Sequence, residues 1–192
     1  MVDKSAPLIG QVEATVLLSG GIDSAACARL LSAQRYHVRG IFVDYGQAAA
    51  QEERQAVTRL QDFLGIKVCL IEAKSVNRFG AGELIGRNAF LISTAIFLGQ
   101  AHQGLVAIGV HGGTPYYDCS PSFIAQVNRL AQEHTGGRLT VIAPFLDWNK
   151  GQIVAYFRDS GLPISATYSC ESGTIPPCGW CASCRDRRAV GC

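Results

Sequence analysis

Residues 14–18, Ala-Thr-Val-Leu-Leu, make a short apolar and β-branched run that stops at Ser19-Gly20-Gly21-Ile22-Asp23-Ser24 and gives way to an Ala- and Leu-rich stretch at residues 25–33. Such a run reads as a buried strand, the paired glycines as a tight turn, and the Ala/Leu stretch as a helix. Asp23 and Ser24 can each accept from free backbone N–H groups, so the helix is expected to open directly after the turn. The same grammar repeats along the chain. A second strand at residues 38–43 stops at Asp44-Tyr45-Gly46, and Ala50, Val57, Leu60 and Leu64 fall near helical spacing within residues 48–64. Further strands are expected at 68–71, 105–108 and 140–143, and helices at 89–98, 121–130 and 150–160, with Ser120 as N-cap and Pro121 in the first turn. Parallel neighbours need crossover connections, normally helices, so the expected fold class is α/β: an open parallel sheet with helices on both faces. Ligands of such sheets bind at the C-terminal ends of the strands. Residues 19–24, 44–47 and 109–118 are expected there.

With 192 residues, 48% of them hydrophobic and 17% charged, the chain suits one soluble globular domain spanning residues 1–192. A net charge of +2 with no Lys/Arg run gives no electrostatic case for direct nucleic-acid or membrane binding. Small-molecule partners are expected instead. No stretch is long enough to span a membrane, and residues 1–14 lack the basic-then-apolar order of a signal peptide, so a cytoplasmic location is expected.

Consecutive glycines let N–H groups converge, and the helix start behind them adds partial positive charge, which together cradle phosphate. Ser19 and Ser24 add hydroxyls. The pattern is neither Gly-x-x-x-x-Gly-Lys-Ser/Thr nor Gly-x-Gly-x-x-Gly. Ser-Gly-Gly-x-Asp-Ser after a first strand resembles the PP-loop of the ATP pyrophosphatases, which implies binding of ATP phosphates and cleavage to AMP and pyrophosphate. The expected nucleotide contacts are Leu18, Ser19, Gly20, Gly21, Ile22, Asp23 and Ser24, with Asp44 and Tyr45 from the second strand's end. A plain glycine turn is the alternative; the order strand, motif, helix favours phosphate.

Three of the eight cysteines, Cys27, Cys69 and Cys119, are isolated, whereas Cys170, Cys178, Cys181 and Cys184 crowd the tail among Gly173, Pro176, Pro177 and Gly179. Four soft ligands at that spacing point to tetrahedral zinc or an iron–sulfur cluster, with a redox Cys-x-x-Cys pair as the other possibility. Structural Zn²⁺ holding residues 168–192 is the preferred reading, because the tail is too poor in apolar residues to fold alone. Cys192 is expected to dangle rather than ligate.

Taken together, the blocks resemble the 7-cyano-7-deazaguanine synthase family over nearly the full length: residues 18–24, Asp44-Tyr45-Gly46-Gln47, Gly86-Arg87-Asn88, Tyr117-Asp118-Cys119 with Phe123, Trp148-Asn149-Lys150, and the four cysteines. The resemblance implies an ATP-dependent ligase using Mg²⁺. It would adenylate 7-carboxy-7-deazaguanine, form the amide with ammonia, adenylate again and dehydrate to the nitrile. Ser19, Asp23, Arg87 and Lys150 are then the candidate catalytic residues. Asn88, Tyr117 and Asp118 are the candidate substrate contacts, Asp118 accepting from the guanine-like edge and Tyr117 stacking on the base. Phe42 and Tyr45 are candidates to border adenine, and His111 is treated as incidental. A homodimer is also implied.

This chain departs from the family in having Ala48-Ala49-Ala50 where a basic pair is usual, a short segment between Val76 and Gly86, and little chain after Cys184. A shorter cover would expose the activated carboxylate to larger amines, so a paralogue that stops at an amide, or joins the deazaguanine to an amine on a protein, is the alternative. Two further readings are a tRNA-acting sulfur transferase or amide ligase, which would need a basic surface or a cysteine near the loop, and a non-catalytic nucleotide-binding module.

Overall fold

The structure, a computed structural model, describes residues 12–73 and 79–192. The leading residues 1–11 and part of the short segment before Gly86 lie outside them. In chain order the elements are β1 (Glu13–Leu17), α1 (Ile22–Ala33), β2 (His37–Asp44), α2 (Ala50–Leu64), β3 (Lys67–Glu72), α3 (Arg87–Phe97), β4 (Gly104–Ala107), α4 (Pro121–Thr135), β5 (Leu139–Ile142), α5 (Lys150–Asp159) and α6 (Ala182–Ala189). One-turn 3-10 helices lie at Tyr117–Cys119 and Ile164–Ala166.

The five strands form one parallel sheet in the order β3-β2-β1-β4-β5, with Leu17 opposite Ile41 and Val16 opposite Ala107. Alternation along the strands divides the core. Val16, Leu18, Phe42 and Ala107 pack with α1, α2 and α5, whereas Leu17, Ile41, Val43 and Val106 pack with α3 and α4. This is the expected open parallel sheet with helices on both faces. Chain order runs outward in both directions from β1, so the crevice between the ends of β1 and β4 is the switch point where such sheets bind ligands.

Helix ends obey local chemistry. Ser120 Oγ accepts from Phe123 N at 3.1 Å, as expected for an N-cap before Pro121. Asn149 and Gln152 form a reciprocal capping box that starts α5 at Lys150. Helix α4 runs to Thr135, beyond the expected end at residue 130, because no breaker occurs before Gly136, which ends it at φ 60°. The expectation for α1 is met by Ser24, whose Oγ accepts from Ser19 N, and corrected for Asp23, while Gly21 is the N-cap without a side-chain cap. Asp23 binds Lys150 instead, and Ser24 Oγ bonds within the glycine loop.

Helix α6 has no apolar stripe in sequence and was not anticipated. Cys184 is its one buried residue, and a separate cluster of Cys170, Cys181 and Cys184 with Ala49, Ala56 and Tyr168 anchors it to α2. The tail passes so close to the start of α2 that a Cβ on Gly173 would strike the backbone of Ala48, so that position requires glycine. Cys192 does not dangle: with Val190 it packs against the α1/α5 side of the core, and Arg158 donates to the Gly191 carbonyl at 2.9 Å. Among the described residues no helix is long and apolar enough to cross a membrane.

Candidate active site

A cavity of about 310 Å³ opens at the switch point. Its floor is Leu18, Ser19, Gly21, Ile22, Asp23 and Ser24 at the end of β1, and its walls come from the ends of β2 and β4, the start of α3, Lys150 and the cysteine-bearing tail. The loop folds on itself: Ser24 Oγ accepts from Ser19 N at 3.2 Å and donates to the Gly21 carbonyl at 3.1 Å. Gly20, at φ +83°, turns outward, and its carbonyl accepts from Tyr168 N at 2.9 Å. An added Cβ there would lie 2.8 Å from the Glu53 carbonyl oxygen. Gly20 therefore seats the loop against α2 and the tail rather than lining the cavity.

Lys150 Nζ donates to both carboxylate oxygens of Asp23, at 2.6 and 2.7 Å. The capping box places Lys150 at the first position of α5, and close packing of α1 against α5 brings it to the loop. His111, thought incidental from sequence, also lines the cavity near this pair. Burial holds its imidazole below the usual value, with Lys150 acting the same way and Asp23 and Asp186 opposing.

Arg87 and Asn88 begin α3 and both line the cavity. Asn88 is 1% exposed, its N–H donates to Asp118 Oδ2 at 3.2 Å, and its Nδ2 donates to the Asp118 carbonyl at 3.0 Å. Asp118 thus caps α3, not α4, and is not on the cavity wall. Tyr117 is not brought to the cavity either: it is 57% exposed, packs edge-on against Phe123, and its hydroxyl accepts from Gln126 at 2.8 Å. In a 3-10 turn residues three apart share a side, and accordingly Tyr116 and Cys119 line the cavity. A cysteine therefore lines the same cavity as the loop. Burial and the Asp118 charge push its thiol up to about 11, so it is not a ready thiolate.

Tyr45 and Phe42 line the cavity, Tyr45 meeting Phe79 and Phe90 edge-on. Asp44 is buried off the wall, accepting from Gly46 N and Arg54 at 3.1 Å each. Its role in the described structure is to shape the turn after β2.

The four cysteine sulfurs lie within 4.8 Å of one another, with Cys178 Sγ and Cys184 Sγ 3.9 Å apart. Tetrahedral Zn–S bonds of about 2.3 Å place sulfurs about 3.8 Å apart, so the set fits such an ion. Backbone N–H groups of Cys178 and Cys181 approach Cys170 Sγ and Cys178 Sγ at 3.3 and 3.4 Å. Burial alone raises the Cys170 thiol, but hydrogen bonds from Cys178, Thr174 and Ser172 bring it down to about 5. Burial and neighbouring thiols push Cys184 up to about 12. Four adjacent thiolates repel, and a dication resolves that conflict. The buried Ser172 hydroxyl has no partner among the described residues and sits where it can donate to Cys178 sulfur. The cluster can therefore hold a metal such as zinc.

This tail supplies the wall that the sequence reading missed: Ser169, Glu171, Ser183, Asp186 and Arg187. Arg187 donates to Thr167 Oγ1 at 3.1 Å and Ser169 Oγ at 3.3 Å. Glu171 accepts from Ser183 N and Oγ at 3.0 and 2.8 Å and from Gly82 N at 3.0 Å, stapling the tail to the segment before α3. Arg187 lies three residues after Cys184, hence on the same helical face, and that spacing was a legible signal.

One glycine at the site carries a prediction. A Cβ on Gly109 would lie 2.9 Å from the Asp23 carbonyl carbon and oxygen and from Ser24 N. Because the obstacle is loop backbone, Gly109→Ala is expected to displace the loop at a cost of about 1–3 kcal/mol, weakening nucleotide binding by roughly 5- to 150-fold. Titration with a nonhydrolysable ATP analogue checks this; unchanged affinity would count against the loop as the phosphate site.

A parallel α/β sheet with Ser-Gly-Gly-x-Asp-Ser at its switch point and a four-cysteine tail beside it defines a PP-loop protein. The family described as "Queuosine biosynthesis protein QueC" matches residues 13–86 and 83–190, and the chain belongs to it. Curated relatives include three described as "7-cyano-7-deazaguanine synthase". That of Prochlorococcus marinus is 31% identical over 206 residues, covering 92% of each chain. That of Methanothermobacter thermautotrophicus is 30% identical over 207 residues, covering 92% of this chain and 93% of the relative. That of Rhizobium johnstonii is 30% identical over 200 residues, covering 90% and 84%.

Proposed function

We propose that this protein uses ATP to adenylate the carboxylate of 7-carboxy-7-deazaguanine and lets ammonia displace AMP. Repetition at the amide carries the product to 7-cyano-7-deazaguanine. The observation that carries this reading is the Asp23–Lys150 pair inside the serine–glycine loop, in a cavity that Arg87 also enters. A carboxylate is a poor electrophile, and an acyl adenylate gives it a leaving group. In this scheme N–H groups and hydroxyls of residues 19–24 hold phosphates, Lys150 meets charge developing on departing pyrophosphate, and Arg87 binds the substrate carboxylate or a phosphate. Mg²⁺ bound with ATP would neutralise phosphate charge. Asn88, fixed by Asp118, faces the base, and Tyr116 takes the stacking position proposed from sequence for Tyr117. The tail's metal is structural. A homodimer in the cytoplasm is the accompanying expectation.

A second reading, ending at an amide or at an amine on a protein, draws on an adjoining apolar pocket of about 200 Å³ that shares Tyr45 and Arg87 with the main cavity. Mass spectrometry after incubation with ATP, Mg²⁺, 7-carboxy-7-deazaguanine and ammonia separates them. Nitrile with AMP and pyrophosphate is expected; amide alone, or a protein adduct, would favour the second reading, and no AMP would reject both.

A further inference from the structure

Amine attack on an acyl adenylate has a requirement that the loop, Lys150 and Arg87 do not meet. An amine at neutral pH is largely its ammonium, and the nitrogen must shed a proton to form a neutral amide. A cationic wall cannot take it.

Glu53 lies in the first turn of α2 and lines the cavity on the wall shared by Tyr45, Gln47 and Arg87. Its Oε2 accepts from Gln47 Nε2 at 2.8 Å. Gln47 has no freedom to swing away: it is 9% exposed, its Nε2 also donates to the Val43 carbonyl at 3.2 Å, and its Oε1 accepts from Tyr45 N at 2.9 Å. Among the described residues Glu53 Oε1 has no hydrogen-bond partner and no Lys or Arg forms an ion pair with the carboxylate. The charged and titratable groups acting on it are Arg87 from α3 and Asp44 and Tyr45 from the end of β2. Burial moves its carboxyl above the usual glutamate range, aided by Asp44, with Gln47 and Arg87 opposing. A desolvated carboxylate of raised basicity, held at one oxygen and open at the other, has the form of a general base.

Of the other acids that line the cavity, Asp23 and Glu171 are committed, and Asp186 stands at the His111 end. Lys150 holds both oxygens of Asp23. Glu171 spends its oxygens on Ser183 and Gly82. His111 lies at the phosphate end, near Asp23, Lys150 and Asp186, with Nδ1 accepting from Gly113 N at 3.1 Å.

We infer that Glu53 is the proton acceptor for the amine that displaces AMP. The inference rests on the adenylation reading above. The nitrogen lone pair forms the C–N bond, the C–O bond to AMP breaks with its electron pair on the phosphate oxygen, and the nitrogen's surplus proton passes to Glu53 and then to water.

Two partial reactions test this separately from the parent reading. Carboxylate-dependent exchange of labelled pyrophosphate into ATP reports adenylation and needs no amine; amide formation needs both. For Glu53→Gln, amide formation from ammonia is expected to fall about 10²-fold or more while exchange falls less than about threefold. Hydroxylamine, unprotonated at neutral pH and giving a more acidic adduct that can lose its proton to water, should restore most of the lost rate. Glu53→Asp should keep part of the ammonia reaction. In the unsubstituted protein the ammonia step, compared at equal free NH3, should decline as pH drops through a value above the ordinary glutamate range, and Glu53→Gln should flatten that decline. Equal losses with ammonia and hydroxylamine, an unchanged pH profile, or exchange lost along with amide formation would each overturn the assignment. No exchange in the unsubstituted protein would remove the adenylation reading, and the inference with it.

Discussion

Replacing Cys184 with serine is expected to lower bound zinc well below one per chain and, in the same protein, to weaken ATP binding by about tenfold or more, because the metal site and one cavity wall are the same short helix. Helix α6 buries Cys184 alone, so the cysteine cluster is what docks it. From that helix Ser183, Asp186 and Arg187 reach the cavity. An arginine that binds phosphate through charge-assisted hydrogen bonds contributes about 1.5–3 kcal/mol, which is roughly 10- to 150-fold in affinity. The two sheet-flanking cores contain none of the four cysteines, so the sheet should keep its far-ultraviolet dichroism while amide exchange in residues 168–192 accelerates. Metal analysis, nucleotide titration and hydrogen exchange read these three consequences. Full nucleotide affinity in a zinc-free variant would show that the tail is not part of the site.

The second large effect is expected at Lys150. Its two short contacts to Asp23 concern side chains only 22% and 25% exposed, so solvent screens the pair incompletely. Lys150→Ala removes the cation nearest the glycine loop and leaves the Asp23 carboxylate facing incoming phosphates. Loss of one preorganised donor to developing charge commonly costs about 10²–10³ in kcat, and that is the expected fall in pyrophosphate exchange. Lys150→Arg should recover part of it, because charge is kept while the planar fork is misplaced. The loss of the pair itself should cost about 1 kcal/mol or less of stability, so a thermal melt separates misfolding from lost chemistry. An exchange rate within threefold of the unsubstituted protein would place the charge stabilisation elsewhere.

How legible the molecule was depends on how local each signal is. The strands β1 to β5 and helices α1 to α5 announced themselves through short β-branched runs, capping residues and glycine stops, all of which act within a few residues. Most of their ends fell within three residues of the expected ones, and the larger shift, of α4 from residue 130 to Thr135, came where the stop lay further on, at Gly136. Helix α6 was illegible by apolar periodicity because its burial comes from sulfur ligands rather than a stripe of Leu or Val. Tyr117 and Asp118 were chosen from a motif, yet the 3-10 turn through them presents Tyr116 and Cys119 to the cavity and turns Asp118 toward the start of α3.

The amino-acid sequence alone determined the parallel α/β class, the position of the serine–glycine loop and the four-cysteine ligand set, since each rests on neighbours in the chain. Tertiary structure alone decided which distant residues share the cavity. Lys150 meets Asp23 because α1 packs on α5, Arg187 arrives because a tail folded around sulfur docks on α2, and Glu53 faces the wall of Arg87 because α2 crosses beneath Gly20. Those contacts join residues dozens of positions apart, and only the packing of helices onto the sheet brings them together.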